Sequence, residues 1–429
     1  MGKIKSLLNE IQNYRGSVPK GRLSKTFLEA YKVLGFAFPT ERVCVVGGTN
    51  GKGSVVHCLS ELLQAHGLIV GKFISPHLVE LGERIQVNGE NIESQRLEEI
   101  LIDIDDSLSR NSKLSLKDLS FFELLLLSAL KHFEKSGVEF LVLEIGVGGG
   151  NDPVGQIPHD FNILTSLSFD HKEILGESLE EIFAHKIGMI KKEGVLVHGL
   201  EQKFFESLNT PEIVSDCLIC PVNNPEIQYK KSNQTLFTYN EDVIRTGYFG
   251  PIGAKNTLIS LTMFDQIANC LQFEVDRKKL VESIENLVWP GRMQKLDWFG
   301  KGQLWLSGDH NVEGWQALRA NLKLIHPEKI HLFFGLGPSK DLSEFTKTFD
   351  SLPVQSVNVV AGAYNNRAIE DYPDKLKGKE LNRYQNFSDV DWASLDVNKY
   401  EDLILICGSL YFVGHFLKYF RESSLKIRK

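Results

Sequence analysis

Cysteine is scarce in this sequence, with six in 429 residues. They are unevenly scattered and form no disulfide framework, so a reducing, cytoplasmic setting is expected. Cys217 and Cys220 make one C-x-x-C pair. No second pair or His-x-His partner stands at zinc-finger spacing, so both read as packing thiols. Long apolar runs are missing too. The densest, over 121–130, is interrupted by Glu123 and Ser128 and falls short of the roughly 18 apolar residues a membrane span needs. Positive charge is not in excess either: 48 Lys and Arg face 55 Asp and Glu, a net charge of −7. No global basic field invites nucleic acid, and an anionic substrate would need a local positive site. No secretory n-region and h-region open the chain, and no internal repeat or low-complexity segment interrupts it. Met1-Gly2-Lys3-Ile4-Lys5-Ser6 fits the loose myristoylation pattern, but no second membrane signal supports it. Ile4, Leu7, Leu8 and Ile11 read more simply as the core face of a short N-terminal helix.

What is present is the ordinary mix of a folded chain, 42% hydrophobic and 24% charged. Short apolar runs alternate with amphipathic helical patterns, the mark of a mostly parallel α/β sheet. Strand 43–46, a glycine-rich turn, helix 54–66 and strand 69–75 make a βαβ unit. Asn88-Gly89 predicts a hairpin over 84–92. Helices at 97–109 and 120–135 lead to strands 140–145 and 162–169. Ser178 and Glu181 predict a capping box opening the next helix. Strands fill much of 194–248, followed by helices 254–270 and 278–287. Trp289-Pro290-Gly291-Arg292 breaks the pattern, which divides the chain into domains 1–292 and 293–429. The second is a smaller, Rossmann-like α/β domain with strands at 303–306, 329–334, 357–361 and 403–407.

The chemistry begins at Gly48-Thr49-Asn50-Gly51-Lys52-Gly53-Ser54. A strand, a glycine turn and a helix N-terminus gather backbone N–H groups and the helix dipole around one point. A phosphate chain fits there, with Lys52 on its terminal oxygens and the Ser54 hydroxyl available to Mg²⁺. The spacing departs from the common P-loop, since Gly53 stands between lysine and serine. Three further residues are out of place chemically. Glu144 lies in an otherwise apolar strand, where a carboxylate without a partner is costly. His171 follows Asp170 beyond strand 162–169, at the end where open α/β sheets bind ligands. Lys186 falls inside the apolar stripe of Ile182, Phe183, Ile187 and Ile190, so it must snorkel, pair or be chemically altered.

The variant loop, together with Ser75-Pro76-His77-Leu78, Glu83-Arg84-Ile85, Phe122-Glu123, 143–149, Asp170-His171, Lys186-Ile187-Gly188, Pro290-Gly291-Arg292, His310-Asn311 and 407–411, resembles the Mur ligase superfamily. Within it the resemblance is to the folylpolyglutamate and dihydrofolate synthases, and it covers nearly the whole chain. It implies a P-loop-containing, mostly parallel sheet domain followed by a Rossmann-like domain. The implied activity is ATP-dependent amide formation between L-glutamate and a folate or dihydropteroate-type acid, by way of an acyl phosphate. Ser54, Ser75, Glu144 and His171 would be metal-side residues for Mg²⁺ at two sites. Thr49, Asn50, Gly51, Lys52, Gly53, Ser54, Asn256, Arg292, Asp309 and His310 would meet the nucleotide. Lys52, His171 and Lys186 would be catalytic, Lys186 as a carbamate. A cytoplasmic monomer without nucleic-acid or membrane partners is expected.

Three motifs depart from the family pattern. Ile252-Gly253 stands where His-Gln precedes the nucleotide-contacting asparagine, here Asn256. Ser307-Gly308-Asp309-His310-Asn311 replaces Asp-Gly-Ala-His-Asn, and Gly150 takes the place of an arginine after Gly148-Gly149. These changes leave two other readings in play: a ligase with a different carboxylate acceptor, and a nucleotide-binding relative without turnover.

Overall fold

A computed structural model describes residues 25–230, 234–296, 302–397 and 399–423. The N-terminal expectation built on Ile4, Leu7, Leu8 and Ile11 lies outside the described residues. The chain forms two compact units. The first takes the chain up to His77, Leu81–Pro225 and Lys255–Glu285, and the second takes Leu78–Glu80, Glu226–Ala254 and the chain from Asn286 on.

The first unit is built on an eight-stranded sheet. Its strands are β1 (Val43–Gly47), β2 (Val70–Phe73), β3 (Ile85–Val87), β4 (Glu90–Asn91), β5 (Phe140–Glu144), β6 (Phe161–Leu164), β7 (Val195–His198) and β8 (Leu218–Pro221). They lie in the order β4-β3-β2-β5-β1-β6-β7-β8. The ladder from β2 to β8 is parallel, and the β2–β3–β4 edge is antiparallel. β1 and β5 are buried along their whole length, which explains why they read as unbroken apolar runs rather than alternating ones. Asn88 and Gly89 both take positive φ, 49° and 78°, the conformation of a tight two-residue hairpin turn.

The longer helices of the chain are α1 (Lys25–Leu34), α2 (Lys52–Ala65), α3 (Ser94–Asn111), α4 (Phe121–Lys135), α5 (Leu179–Ile187), α6 (Gly250–Leu271), α7 (Arg277–Glu285), α8 (Val312–Ile325) and α9 (Leu410–Glu422). Capping boxes start two of them as their sequences require. Ser120 pairs with Glu123 ahead of α4, and Ser178 pairs with Glu181 ahead of α5. Two expectations change. The strand expected over 162–169 ends at Leu164, because from Thr165 on the chain bonds to the turn after β1 instead of to a ladder. The stretch after β7 holds two short helices, Gln202–Ser207 and Glu212–Ser215, before strands resume.

The second unit contains a three-stranded antiparallel sheet, β9 (Ile227–Lys230), β10 (Gln234–Tyr239) and β11 (Asp242–Thr246). It also contains a seven-stranded sheet of β12 (Arg292–Leu296), β13 (Gln303–Ser307), β14 (Lys329–Phe334), β15 (Val354–Val360), β16 (Lys375–Leu376), β17 (Lys379–Tyr384) and β18 (Asp402–Cys407), in the order β12-β13-β18-β14-β15-β17-β16. A polar chain crosses three of these strands, buried at His331 and Asn358 and reaching the surface at Asn382. His331 Nδ1 lies 2.9 Å from Ser356 Oγ, Asn358 Nδ2 donates to Leu332 O at 3.0 Å, and Asn382 Nδ2 donates to Asn358 Oδ1 at 2.9 Å. The side chains of Asn311 and Ser409 cap α8 and α9.

Beneath α2 lies a group the sequence did not single out. Lys72, in the middle of β2, is buried, with Nζ 3.1 Å from His57 Nδ1. That ring nitrogen is also 3.5 Å from Glu61 Oε1, one helical turn on. Burial pushes the Lys72 ammonium from 10.5 down to about 8, opposed by Glu61. A lowered lysine makes the folded protein bind fewer protons than the unfolded chain between those two values, so its contribution to stability rises with pH across that window. Lys72→Met removes the buried charge. Near neutral pH the variant should be the more stable, by on the order of 3 kcal/mol. The difference should close as pH approaches 10.5, read from thermal midpoints of both proteins. A difference that stays flat with pH would refute the burial argument.

Candidate functional site

β1 ends at Gly47, and the turn that follows works only with glycine in two places. Gly48 has φ 136°, and a Cβ there would stand 2.0 Å from Thr165 Oγ1. Gly51 has φ 87°, and a Cβ would meet Asn256 Oδ1 at 2.6 Å. These close approaches wrap the turn tightly against the chain after β6 and against α6. α2 then opens at Lys52 with its N-terminal amides and dipole directed toward the turn. Lys52 bends back over its own loop, with Nζ donating to Gly48 O at 3.2 Å and to Thr49 O at 3.1 Å. Ser54, in the first turn of the helix, is buried.

The neighbouring strands end at the same level. Glu144, the last residue of β5, sits in register with Val46 of β1. It is 5% exposed, and its Oε2 accepts the Ser75 N–H at 2.9 Å. The backbone after β2 thus supplies a partner for the carboxylate whose burial the sequence made conspicuous. Lys186, on α5, does not snorkel. It is 4% exposed and donates from Nζ to Gly48 O at 2.9 Å. His171 stands beyond β6 in a left-handed conformation, φ 51°, at the start of the one-turn helix Lys172–Leu175. Its Nδ1 is 3.8 Å from Glu173 Oε1. In this unit the structure therefore gathers 49–54, Glu144, Ser75, Lys186 and Asn256 around one turn, with His171 on the loop that braces it.

Asp152 was not expected from sequence, where it looks like a turn residue in Gly150-Asn151-Asp152-Pro153. It is buried and accepts the N–H groups of Gly146, Val147 and Val154 at 3.1, 3.0 and 2.9 Å. Burial lifts its carboxyl to about 7, against those three donors and the positive charge of Lys52. The three bonds tie the 146–154 loop to one carboxylate, close enough to feel the charge of Lys52. The signal that would have found it is the acid placed inside a run of glycines after a buried strand.

The remaining expected residues belong to the second unit. Arg292 Nη1 stands 3.7 Å from Asp309 Oδ1, and Ser307 Oγ donates to Asp309 Oδ2 at 2.5 Å. Burial raises the Asp309 carboxyl while Arg292 and Ser307 hold it down. His310 Nδ1 lies 3.2 Å from Gly308 O. Ser307 and Asp309 thus form one hydrogen-bonded pair, with the carboxylate shifted two residues along the chain.

The Mur ligase middle domain family matches residues 46–264, the stretch that contains this turn and every first-unit residue just described. The chain belongs to the Mur ligase family. It is 30% identical over 387 residues to the dihydrofolate synthase/folylpolyglutamate synthase of Buchnera aphidicola subsp. Schizaphis graminum, a match covering 87% of this chain and 86% of that protein. It is 26% identical over 400 residues to the enzyme of the same name from Bacillus subtilis, covering 87% and 89%. Among solved structures, the folylpolyglutamate synthase of Mycobacterium tuberculosis complexed with ADP and AMPPCP superposes with a TM-score of 0.81 at 20% identity, covering 97% of each chain. Escherichia coli FolC in complex with DHPP and ADP does so with a TM-score of 0.79 at 22% identity, covering 98% of each. The mixed α/β architecture with parallel sheets is that of the Mur-ligase-like fold.

The residues at the turn fit Mg²⁺ rather than a softer metal. Among the described residues no group of three His, Cys, Asp or Glu could cage an ion. Mg²⁺ does not need one, because it is held by one or two carboxylates, a hydroxyl and the oxygens of a phosphate. Glu144, buried at the strand end, would supply the carboxylate, and Ser54 the hydroxyl. Glu144→Gln is nearly isosteric and keeps an oxygen for the Ser75 amide, so the fold should survive. The Mg²⁺ concentration for half-maximal nucleotide turnover should rise on the order of tenfold. An unchanged Mg²⁺ dependence would make Glu144 a structural carboxylate only.

Proposed function

We propose that this chain is an ATP-dependent carboxylate–amine ligase that joins L-glutamate to a folate or dihydropteroate-type acid. The observation that carries the reading is the braced glycine turn between β1 and α2, with Lys52 over it and Glu144 beside it. Family membership and the curated relatives named above support the choice of glutamate and a folate-type acid as substrates.

The reaction poses a chemical problem that this geometry answers. A carboxylate does not acylate an amine in neutral water, because oxide is too poor a leaving group. Attack of the carboxylate oxygen on the ATP γ-phosphorus releases ADP and gives an acyl phosphate. The glutamate amine then attacks the acyl carbon, phosphate leaves, and the amine's proton passes to a base. Both early partners are anions. Lys52 neutralises part of that repulsion, and the amides at the start of α2 orient the phosphates. Bound Mg²⁺ supplies further charge neutralisation, with Ser54, Ser75, Glu144 and His171 as the residues on its side and two ions as the proposed number. Asn256, Arg292, Asp309 and His310 are the proposed nucleotide contacts beyond the turn. We further propose that the labour divides between the domains expected from sequence, 1–292 and 293–429, and that a cytoplasmic monomer is the working form. No described helix is long and apolar enough to cross a membrane.

Lys186 is proposed to act as a carbamate. Its Nζ and that of Lys52 touch the same oxygen, Gly48 O, so two ammonium groups compete for one carbonyl. Once the ammonium has lost a proton to water, the neutral Lys186 amine adds carbon dioxide, and a second proton leaves as the C–N bond forms. The carbamate keeps an N–H for that carbonyl and turns one of the two charges negative. Protein equilibrated with isotope-labelled bicarbonate should show one carbamate carbonyl resonance by NMR, absent in Lys186→Met. A spectrum without it would leave Lys186 as an ammonium clamp.

The test of the function as a whole is glutamate-dependent ADP release with and without folates. The wild-type chain should release ADP only when both glutamate and a folate-type acid are present. Lys52→Ala should retain the wild-type thermal midpoint and lose about a hundredfold or more in turnover. Near-normal turnover of that variant at saturating ATP would overturn the phosphate role of Lys52.

A further inference from the structure

The chain just after β6 makes more contacts to the phosphate turn than any catalytic reading requires. The Thr165 hydroxyl lies 2.7 Å from Asn50 O and 3.2 Å from Gly47 O. Ser166 Oγ accepts the Asn50 N–H at 2.9 Å and is 3.2 Å from Asn50 O. The Ser166 carbonyl accepts the Thr49 N–H at 3.0 Å. Thr49 Oγ1 in turn accepts the Ser168 N–H at 3.0 Å and reaches Ser168 O at 3.2 Å. Thr165 is 3% exposed and its bond to Gly47 O is buried, where a hydrogen bond is worth more and costs more to lose. The others are partly sheltered.

The pattern decides which amides remain for a ligand. Thr49 and Asn50 spend their N–H groups on the segment after β6. The anion is left to the amides from Gly51 onward, at the head of α2. An unbraced turn could rotate its peptide planes and present Thr49 and Asn50 instead, or present nothing. The same segment continues without a break through Ser168 to Asp170 and His171. A shift of the brace would therefore move the turn relative to His171.

We propose that Thr165 and Ser166 are positioning residues that hold the phosphate turn in its ligand-binding form and fix it relative to His171. They act through the backbone of Thr49 and Asn50 and not by touching the substrate. The inference rests on the nucleotide-binding reading above and goes beyond it by assigning preorganisation to two residues outside the turn.

The experiment compares wild type with Thr165→Val, Thr165→Ser and Ser166→Ala. Calorimetric binding of Mg-ADP is the first readout, steady-state kinetics the second, and amide hydrogen exchange of the peptide spanning 48–51 the third. Thr165→Val is nearly isosteric and should raise the ADP dissociation constant and the KM for ATP about tenfold, with the KM for glutamate unchanged. Thr165→Ser restores the hydroxyl and should return both to within about threefold of wild type. Ser166→Ala should speed exchange over 48–51 without lowering the thermal midpoint by more than a few degrees, and it serves if Thr165→Val does not fold. Wild-type ADP affinity in a folded Thr165→Val, or unchanged exchange in both variants, overturns the brace. Loss of affinity that Thr165→Ser fails to rescue also overturns it, because the methyl packing and not the hydroxyl would then matter. If wild type binds no ADP while exchange still rises in the variants, the nucleotide reading itself has failed, and positioning for a phosphate falls with it.

Discussion

The carbonyl oxygen of Gly48 receives two lysine ammonium groups, Lys186 from α5 at 2.9 Å and Lys52 from the turn itself at 3.2 Å. Everything else at the first unit's strand ends is arranged around that crowding. A peptide oxygen can satisfy the geometry of two donors, but it carries only a partial charge and cannot balance two full ones. Two acids lie nearby: Asp152, whose carboxyl burial raises to about 7 against three backbone amides, and Glu144 at the end of β5. The bond to Gly48 O gives the Lys186 ammonium a polar partner in the midst of Ile182, Phe183 and Ile187.

Glycine makes the convergence sterically feasible. Gly48 and Gly51 are the positions at which any side chain would collide, with Thr165 and Asn256 respectively, so the turn can be approached from two sides at once. Burial of β1 and β5 on both faces then holds the strand ends rigidly, and Glu144 keeps its level because its strand pairs in register with β1. The chemistry rests on a few polar atoms, and the packed sheet keeps them from relaxing away from one another.

Much of this was legible in the sequence, for identifiable reasons. β14 shows as a compact apolar run, Asn88-Gly89 as a hairpin, and Ser120 and Ser178 as helix starts, because each is a local signal with a local cause. Glu144 and Lys186 stood out because a charge in an apolar pattern must be explained by something. Three features did not show. Lys72 sits between Gly71 and Phe73, where a strand's alternation makes a lysine look solvent-facing, and only the docking of α2 reveals it as buried. Asp152 resembles an ordinary turn acid until the amides of Gly146 and Val147 are seen to fold over it. Thr165 and Ser166 have high or neutral strand propensity, so the pattern extended β6 past Leu164, and the turn that actually takes their hydrogen bonds lies about 115 residues earlier in the chain.

The polar chain from His331 through Ser356 and Asn358 to Asn382 bears on how the second sheet assembles. Parallel strands are joined by helices, so no tight turn dictates their alignment, and apolar side chains tolerate a slip between neighbours almost as well as the correct pairing. A slip of one residue between β14 and β15 would turn the Asn358 amide to the opposite face and strand it away from Leu332 O. Asn382 on β17 is exposed, so water would replace its bond to Asn358 Oδ1. The slip thus leaves one buried amide, that of Asn358, without its partner, at a cost of roughly 1–3 kcal/mol. That single residue disfavours a misaligned β14–β15 pair that hydrophobic collapse alone would accept.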